Sequence, residues 1–255
     1  MDKLTIIKAG GKVVEDQESL TPLLDQFTRL SGNKILVHGG GQAATRLAEK
    51  LGIQTQFVDG RRITCEEMLE VTAMVYGGLI NKKIVAGLQA RGCNAIGLTG
   101  ADMNLISASK RPVQEIDFGF VGDIEDVNSR ELRILLNENV VPVIASLTHD
   151  GHGNLLNTNA DTIASELAIE LTSYFEVFLF FCFEKKGVLI DPKDENSIIH
   201  EIDIVTFNNY REGGIISTGM IPKLENGFHA KRNGVKEVLI TNIGDMTNGW
   251  GTRLI

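Results

Sequence analysis

Six short apolar runs, at residues 4–7, 34–37, 95–98, 140–145, 177–183 and 237–241, recur along this chain with helix-patterned segments between them. A strand covered on both faces has no reason to alternate polar and apolar side chains, so a run such as Val177-Phe178-Leu179-Phe180-Phe181-Cys182-Phe183 reads as a buried strand. Strands of this kind alternating with helices make a parallel sheet, and the expected class is α/β. At 255 residues and 43% hydrophobic content the chain can bury a large core, as one domain or as two lobes.

The intervening segments carry helix signals. Thr64 opens a T-x-x-E capping box with Glu67, followed by Met68, Val71, Val75, Leu79, Ile84 and Leu88, with Gly92 as the stop; this predicts the longest helix. A second helix is expected over residues 42–51, ended by Gly52, and a third carries Ile163, Leu167 and Leu171 on one face. Between 113 and 135, the glycine-punctuated alternation of Phe118-Gly119-Phe120-Val121-Gly122-Asp123-Ile124 predicts a hairpin that leaves the parallel pattern, a flap near the substrate. Residues 192–197, beginning at Pro192, read as a surface loop, and a lobe boundary is expected near residue 172.

Charge and cysteine usage narrow the partners. Twenty-five basic against thirty-three acidic residues leave a net charge of −8, which argues against a nucleic-acid surface, so a phosphate ligand has to be met locally. Cys65, Cys93 and Cys182 are odd in number and in no paired metal or disulfide spacing, which suits the reducing cytoplasm. The chain passes from Met1-Asp2-Lys3 into a short apolar strand without a signal-peptide pattern. Its most apolar run, flanked by Glu176 and Glu184, is far shorter than the roughly 20 residues that span a bilayer, so no membrane partner is expected.

Two of the strands close on glycine turns, Leu4-Thr5-Ile6-Ile7-Lys8-Ala9-Gly10-Gly11 and Lys34-Ile35-Leu36-Val37-His38-Gly39-Gly40-Gly41. Successive N–H groups in such turns form concave anion sites, although neither turn fits G-x-x-x-x-G-K-[ST] or a complete G-x-G-x-x-G. Lys8 ends a buried strand, where open α/β sheets bind ligands; the competing reading is a lysine pointing into water. A second basic turn, Gly219-Met220-Ile221-Pro222-Lys223, places Lys223 in the first turn of a helix, because proline favours that position. A cation there opposes the helix dipole by roughly 0.3–1 kcal/mol unless an anion binds in front of it.

Asn157-Thr158-Asn159-Ala160-Asp161 leads into the third helix. Capping accounts for part of this polar cluster, and beyond it one side chain is read as binding substrate and Asp161 as positioning the two lysines. Arg61-Arg62, in the turn before the longest helix, offers a guanidinium fork for a carboxylate or else an exposed loop pair. His38 reads as a packing residue and His149 and His152 as loop residues, with no metal set and no nucleophile elbow.

Taken together these residues resemble the amino acid kinase family over nearly the whole chain, through Ile7-Lys8-Ala9-Gly10-Gly11, Val37-His38-Gly39-Gly40-Gly41, Gly60-Arg61-Arg62-Ile63-Thr64, Gly119-Phe120-Val121-Gly122, Asn157-Thr158-Asn159-Ala160-Asp161 and Gly219-Met220-Ile221-Pro222-Lys223. The resemblance implies a three-layer αβα sandwich, with residues 1–172 holding an acylated amino acid and residues 173–255 holding ATP. It also implies transfer of the γ-phosphoryl group to the side-chain carboxylate of an N-acylated glutamate, with Mg²⁺ bound through the nucleotide. By the same likeness Lys8 and Lys223 stabilise the migrating group, Asp161 organises them, Gly10, Gly11, Gly40 and Gly41 supply N–H groups, and Arg62 and Asn157 bind the acceptor. A carboxylate with a reference pKa near roughly 4.3 is already a nucleophile at neutral pH, so no general base is required.

One segment departs from the family pattern: where these kinases usually carry an aspartate and small residues, this chain has Glu184-Lys185-Lys186-Gly187-Val188-Leu189. By position that segment, with Ile215, Ile216, Ser217 and Met220, is assigned to the nucleotide. The chain reaches its first strand without the N-terminal helix by which resembling hexameric, arginine-inhibited members assemble, so a homodimer without arginine feedback is expected. N-succinylglutamate, carbamate, aspartate and uridylate kinases are competing readings, as are a non-catalytic nucleotide or amino-acid sensor and a dinucleotide oxidoreductase.

Overall fold

The computed structural model describes residues 1–58, 61–191, 193–216 and 219–255; Gly60, Pro192 and Ser217, which figure in the expectations above, lie outside the described residues. The chain runs through β1 (Lys3–Ala9), α1 (Gly11–Glu15), α2 (Gln17–Arg29), β2 (Asn33–His38), α3 (Gly41–Lys50) and a small hairpin of β3 (Gln56–Val58) and β4 (Arg61–Ile63). The long helix follows, as α4 (Glu66–Thr72), a π-helical stretch (Ala73–Ile80) and α5 (Asn81–Gln89), and then β5 (Ala95–Leu98), β6 (Ile106–Lys110), β7 (Gly122–Val127) and α6 (Ser129–Asn137). After β8 (Val141–Ala145), β9 (Leu147–His149), β10 (Leu155–Asn157) and α7 (Ala160–Leu171) come β11 (Glu176–Phe183), β12 (Glu201–Ile202), α8 (Ile204–Glu212), α9 (Ile221–Arg232), β13 (Glu237–Asn242) and β14 (Thr252–Leu254).

Eight strands form the main sheet in the order β12-β14-β13-β11-β1-β2-β8-β5. Its pairs from β13 to β5 are all parallel, and β14 turns the edge antiparallel to β13. All six apolar runs are strands of this sheet. Each face carries its own core: Ile163, Leu167 and Leu171 of α7 with Leu224 and Phe228 of α9 on one side, and Leu23, Phe27, Ile84 and Leu88 on the other. Helices on both faces of one sheet make the expected three-layer sandwich. The expected lobe boundary falls between α7 and β11, where the chain re-enters the same sheet beside β1.

Local details differ from the sequence reading. The long helix is not capped by Thr64: its N-cap is Cys65, without a side-chain cap bond. The Thr64 hydroxyl instead accepts a hydrogen bond from Asn157 Nδ2 at 3.0 Å, so a distant strand takes it away from the helix. Leu79, expected on the buried face, is 50% exposed and Ile80 is buried in its place, a consequence of the π-helical stretch. The expected hairpin is only half inside the 113–135 window: β7 lies within it, but its antiparallel partner β6 precedes it, both belong to a four-stranded sheet with β9 and β10, and the window also contains most of α6. Arg61 and Arg62 lie on strand β4 rather than in a turn. Among the described residues no helix is long and apolar enough to cross a membrane.

Candidate active site

Strand β1 delivers Lys8 to the carboxyl edge of the sheet, and α7 and α9 begin at the same edge. The Lys8 ammonium stands 2.9 Å from Asp161 Oδ1, and the Lys223 ammonium 2.8 Å from the same oxygen. All three residues are buried, at 9%, 9% and 7% exposure for Lys8, Asp161 and Lys223. Asp161 is in the first turn of α7, whose N-cap Asn159 accepts from the Asp161 and Thr162 N–H groups at 2.7 and 3.3 Å. Asn159 is therefore the cap, which leaves Asp161 free for the lysines. Pro222 holds the opening turn of α9 and Lys223 sits beside it, over the rings of Phe181 and Phe183 at 5.1 and 5.9 Å.

The electrostatics follow from this geometry. Burial alone pushes the Asp161 carboxyl up, but Lys223 and Lys8 together reverse that and hold it well below the usual carboxylate range. Burial pulls Lys223 down to about 8, opposed by Asp161 and assisted by Lys8. One carboxylate between two ammonium groups leaves a local positive excess inside an acidic protein. Cys182, behind the lysines, is a buried thiol pushed up to about 12 by desolvation and is no nucleophile.

Two cavities meet at this cluster. The first, about 430 Å³, is lined by Lys8, Asp161 and Lys223 and by residues of the second half of the chain. Glu184, Lys185, Gly187, Val188, Leu189, Ile215, Ile216 and Met220 all line it, whereas Lys186 is exposed and does not. The Glu184 carboxylate pairs with Lys12 at 3.1 Å, and Lys185 reaches Glu195 at 3.6 Å. Gly187 is a place for a glycine, since a Cβ there would lie 2.7 Å from Thr252 Oγ1.

The second cavity, about 280 Å³, again includes Lys8 and Asp161, now with Gly11, Gly40, Gly41, Arg62 and Asn157. The glycine turns face each other across it, for a Cβ on Gly11 would be 3.7 Å from the Gly41 N. Gly10 departs from its expected role: its N–H donates to the Cys182 carbonyl at 2.8 Å and is not available to a phosphate. A Cβ on Gly10 would meet that of Phe183 at 3.4 Å, an ordinary contact, so packing there does not itself demand a glycine. Arg62 is buried, donating from Nη2 to the Gly41 carbonyl at 2.7 Å and the Thr45 hydroxyl at 2.8 Å, with Phe57 stacked on it.

Tyr76 and Arg111 also line this second cavity and were not singled out from the sequence. Arg111 pairs with Asp123 across the β6–β7 hairpin, and its signal was a basic residue at the mouth of the expected flap. Among the described residues no three His, Cys, Asp or Glu side chains gather as a metal set; His149, expected in a loop, ends strand β9 and accepts from the Gly151 N–H of the turn that follows.

The sequence profile of the amino acid kinase family matches residues 3–242. The chain belongs to the amino acid kinase family. Among curated members it is 58% identical over 254 residues to the acetylglutamate kinase of Parabacteroides distasonis, covering all of both chains. It is 38% identical over 253 residues to the acetylglutamate kinase of Methanopyrus kandleri, covering 98% of this chain and 99% of that one. Two solved structures share the amino acid kinase fold. N-acetylglutamate synthase from Neisseria gonorrhoeae, complexed with coenzyme A and N-acetyl-glutamate, superposes with a TM-score of 0.83 at 20% identity, over 98% of this chain and 59% of that one. Carbamate kinase from Giardia lamblia bound to AMP-PNP gives 0.72 at 14% identity, over 99% and 98%. At those identities the likeness is one of fold.

Proposed function

We propose that this chain is an N-acetyl-L-glutamate 5-phosphotransferase that uses ATP. The observation that carries the reading is the pair of cavities joined at Lys8 and Asp161, one built mainly from the second half of the chain and one from the first. The acceptor follows from the acetylglutamate kinases that match it end to end. On this reading residues 173–255 hold the nucleotide, residues 1–172 hold the acceptor, and transfer occurs where the cavities join.

The chemistry asks little of the protein beyond placement and charge. A side-chain carboxylate oxygen of the acceptor attacks the γ-phosphorus, the bond to the β-phosphate oxygen breaks, and ADP and an acyl phosphate form with no proton transferred. Lys8 and Lys223 face the charge that gathers on the migrating group, and Asp161 fixes both ammonium groups. The N-termini of α3, α7 and α9 open at the same edge and add positive potential. Arg62 and Asn157 hold the acceptor. Mg²⁺ would be carried by the nucleotide phosphates and would offset their charge; among the described residues Asp161 is the carboxylate that lines both cavities, and its Oδ1 is occupied by the two lysines.

A second reading concerns the acyl group. Arg61 and Arg111 line both the acceptor cavity and an adjoining groove of about 770 Å³, and Arg111 Nη1 is buried without a partner. Spare cationic donors beside the acceptor favour an acyl chain with a carboxylate of its own, as in N-succinylglutamate. Trapping the acyl phosphate as hydroxamate with N-acetyl- and N-succinyl-L-glutamate side by side tests both readings; product from neither, with carbamate or aspartate accepted instead, refutes both. Three free cysteines support a reducing cytoplasm, and a homodimer is the assembly we propose, to be measured by gel filtration.

A further inference from the structure

The long helix buries Met68, Thr72, Tyr76, Ile80, Ile84 and Leu88 at a four-residue spacing, with Val71, Val75 and Asn81 buried beside that row. With 3.6 residues per turn, each four-residue step overshoots by about 40°, so five steps would carry Leu88 to the far side of an α-helix from Met68. The chain resolves the conflict by unwinding. Ala73–Ile80, which contains Gly77-Gly78, is π-helical, and all six side chains stay in the core while Met74 and Leu79 turn out to 52% and 50% exposure.

The side chain that this wide turn delivers to the acceptor cavity is Tyr76, which is 5% exposed. Its ring covers Gly40 so closely that a Cβ there would meet Tyr76 Cδ1 at 3.0 Å and Cε1 at 3.2 Å. Burial pushes the phenol up, with Arg62 beside it pulling the other way, so the hydroxyl keeps its proton at neutral pH. A guanidinium has only donors, which leaves the phenol O–H free to donate onward into the cavity. A phenol donor and a guanidinium side by side fit one carboxylate.

We propose that Tyr76 is a specificity-determining residue whose phenol donates a hydrogen bond to the acceptor carboxylate that Arg62 faces. The inference rests on the N-acetylglutamate reading above. Tyr76→Phe keeps the ring on Gly40 and deletes only the hydroxyl. The expected result is a rise of about tenfold in KM for N-acetyl-L-glutamate, with kcat and the KM for ATP within about twofold and the thermal midpoint unchanged. The calorimetric Kd for N-acetyl-L-glutamate should weaken by the same factor. An unchanged acceptor KM in an active variant overturns the Tyr76 contact alone, as does an equal rise in both KM values with a lowered midpoint, which marks a purely structural tyrosine. Wild-type protein that makes no acyl phosphate from N-acetyl-L-glutamate refutes the kinase reading and this contact with it.

Discussion

Lys8 and Lys223 place their ammonium groups on a single oxygen, Asp161 Oδ1, at 2.9 and 2.8 Å. One comes from the central strand and the other from the first turn of α9, so the contact joins the two ends of the chain at the junction of the cavities. Two buried cations on one anion are under-neutralised by one unit of charge. Such a cluster is completed by an anion, and on the function proposed above a migrating phosphoryl group is that anion.

Replacing either lysine should therefore remove transition-state stabilisation without unfolding the chain, because the other lysine still pairs with Asp161. For Lys8→Met we expect kcat to fall by about 100-fold or more, with the thermal midpoint retained. Hydroxamate assays at saturating ATP and acceptor measure this, and turnover within a few-fold of wild type takes Lys8 out of the mechanism.

The Lys223 ammonium, drawn down to about 8 by burial, predicts an alkaline limit to activity. In the free enzyme kcat/KM for ATP should fall as pH rises through that value, because the neutral amine no longer opposes phosphate charge. The sign for stability is opposite: above that value the folded state has released a proton the unfolded lysine still binds, so this group adds to stability with rising pH. Lys223→Arg, which does not titrate in this range, should lower the rate and remove the alkaline limb; a limb that persists in the variant belongs to another group.

The strands and the meeting of Lys8 and Lys223 at Asp161 were legible because their signals are local. Six runs buried on both faces stand out as apolar blocks, and the two lysines sit beside the glycine and proline turns that aim them. Arg62 was harder to place, since strands β3 and β4 have three residues each, too few to show a period. Thr64 looked like a cap because a capping box is a local pattern, whereas its hydroxyl is claimed by Asn157 from a distant strand. The loss of the Gly10 N–H to Cys182 is likewise a sheet-edge contact with no trace in the glycine pattern. Tyr76 did leave a signal, the four-residue spacing of buried side chains, but an α-helical template with Leu79 on its face passes over it.

Gly40 is a packing requirement, because a Cβ there would lie 2.3 Å from Ile80 Cδ1. Gly40→Ala should cost about 1–3 kcal/mol by overpacking. Ile80→Val deletes the opposing Cδ1 and alone should cost about 1 kcal/mol. The double variant should be more stable than the sum of the two losses allows, since each change answers the other. Denaturant unfolding of the four proteins gives the coupling directly, and strict additivity would show that Ile80 is not the obstacle.

His38 carries the last prediction, through acid. Its Nδ1 lies 2.9 Å from the Gly39 carbonyl and so bears the proton, while Nε2 accepts from Asn81 Nδ2 at 3.1 Å, a nitrogen that also donates to Val143 O at 2.9 Å. The neutral ring thus fixes the carbonyl of the first glycine in the Gly39–Gly41 turn. Full burial pushes the imidazole down to about 4, with the Gly39 carbonyl opposing it weakly. Between the ordinary histidine value of 6.5 and that lowered one, the unfolded chain binds a proton that the folded chain refuses, so stability falls as pH drops through this window. The slope for one proton is at most about 1.4 kcal/mol per pH unit. His38→Gln cannot titrate, so the stability gap between wild type and variant should narrow by up to that amount per unit from pH 6.5 downward. A gap that stays constant across that window, measured by urea unfolding, would mean that His38 takes up its proton in the folded protein as readily as in the unfolded one.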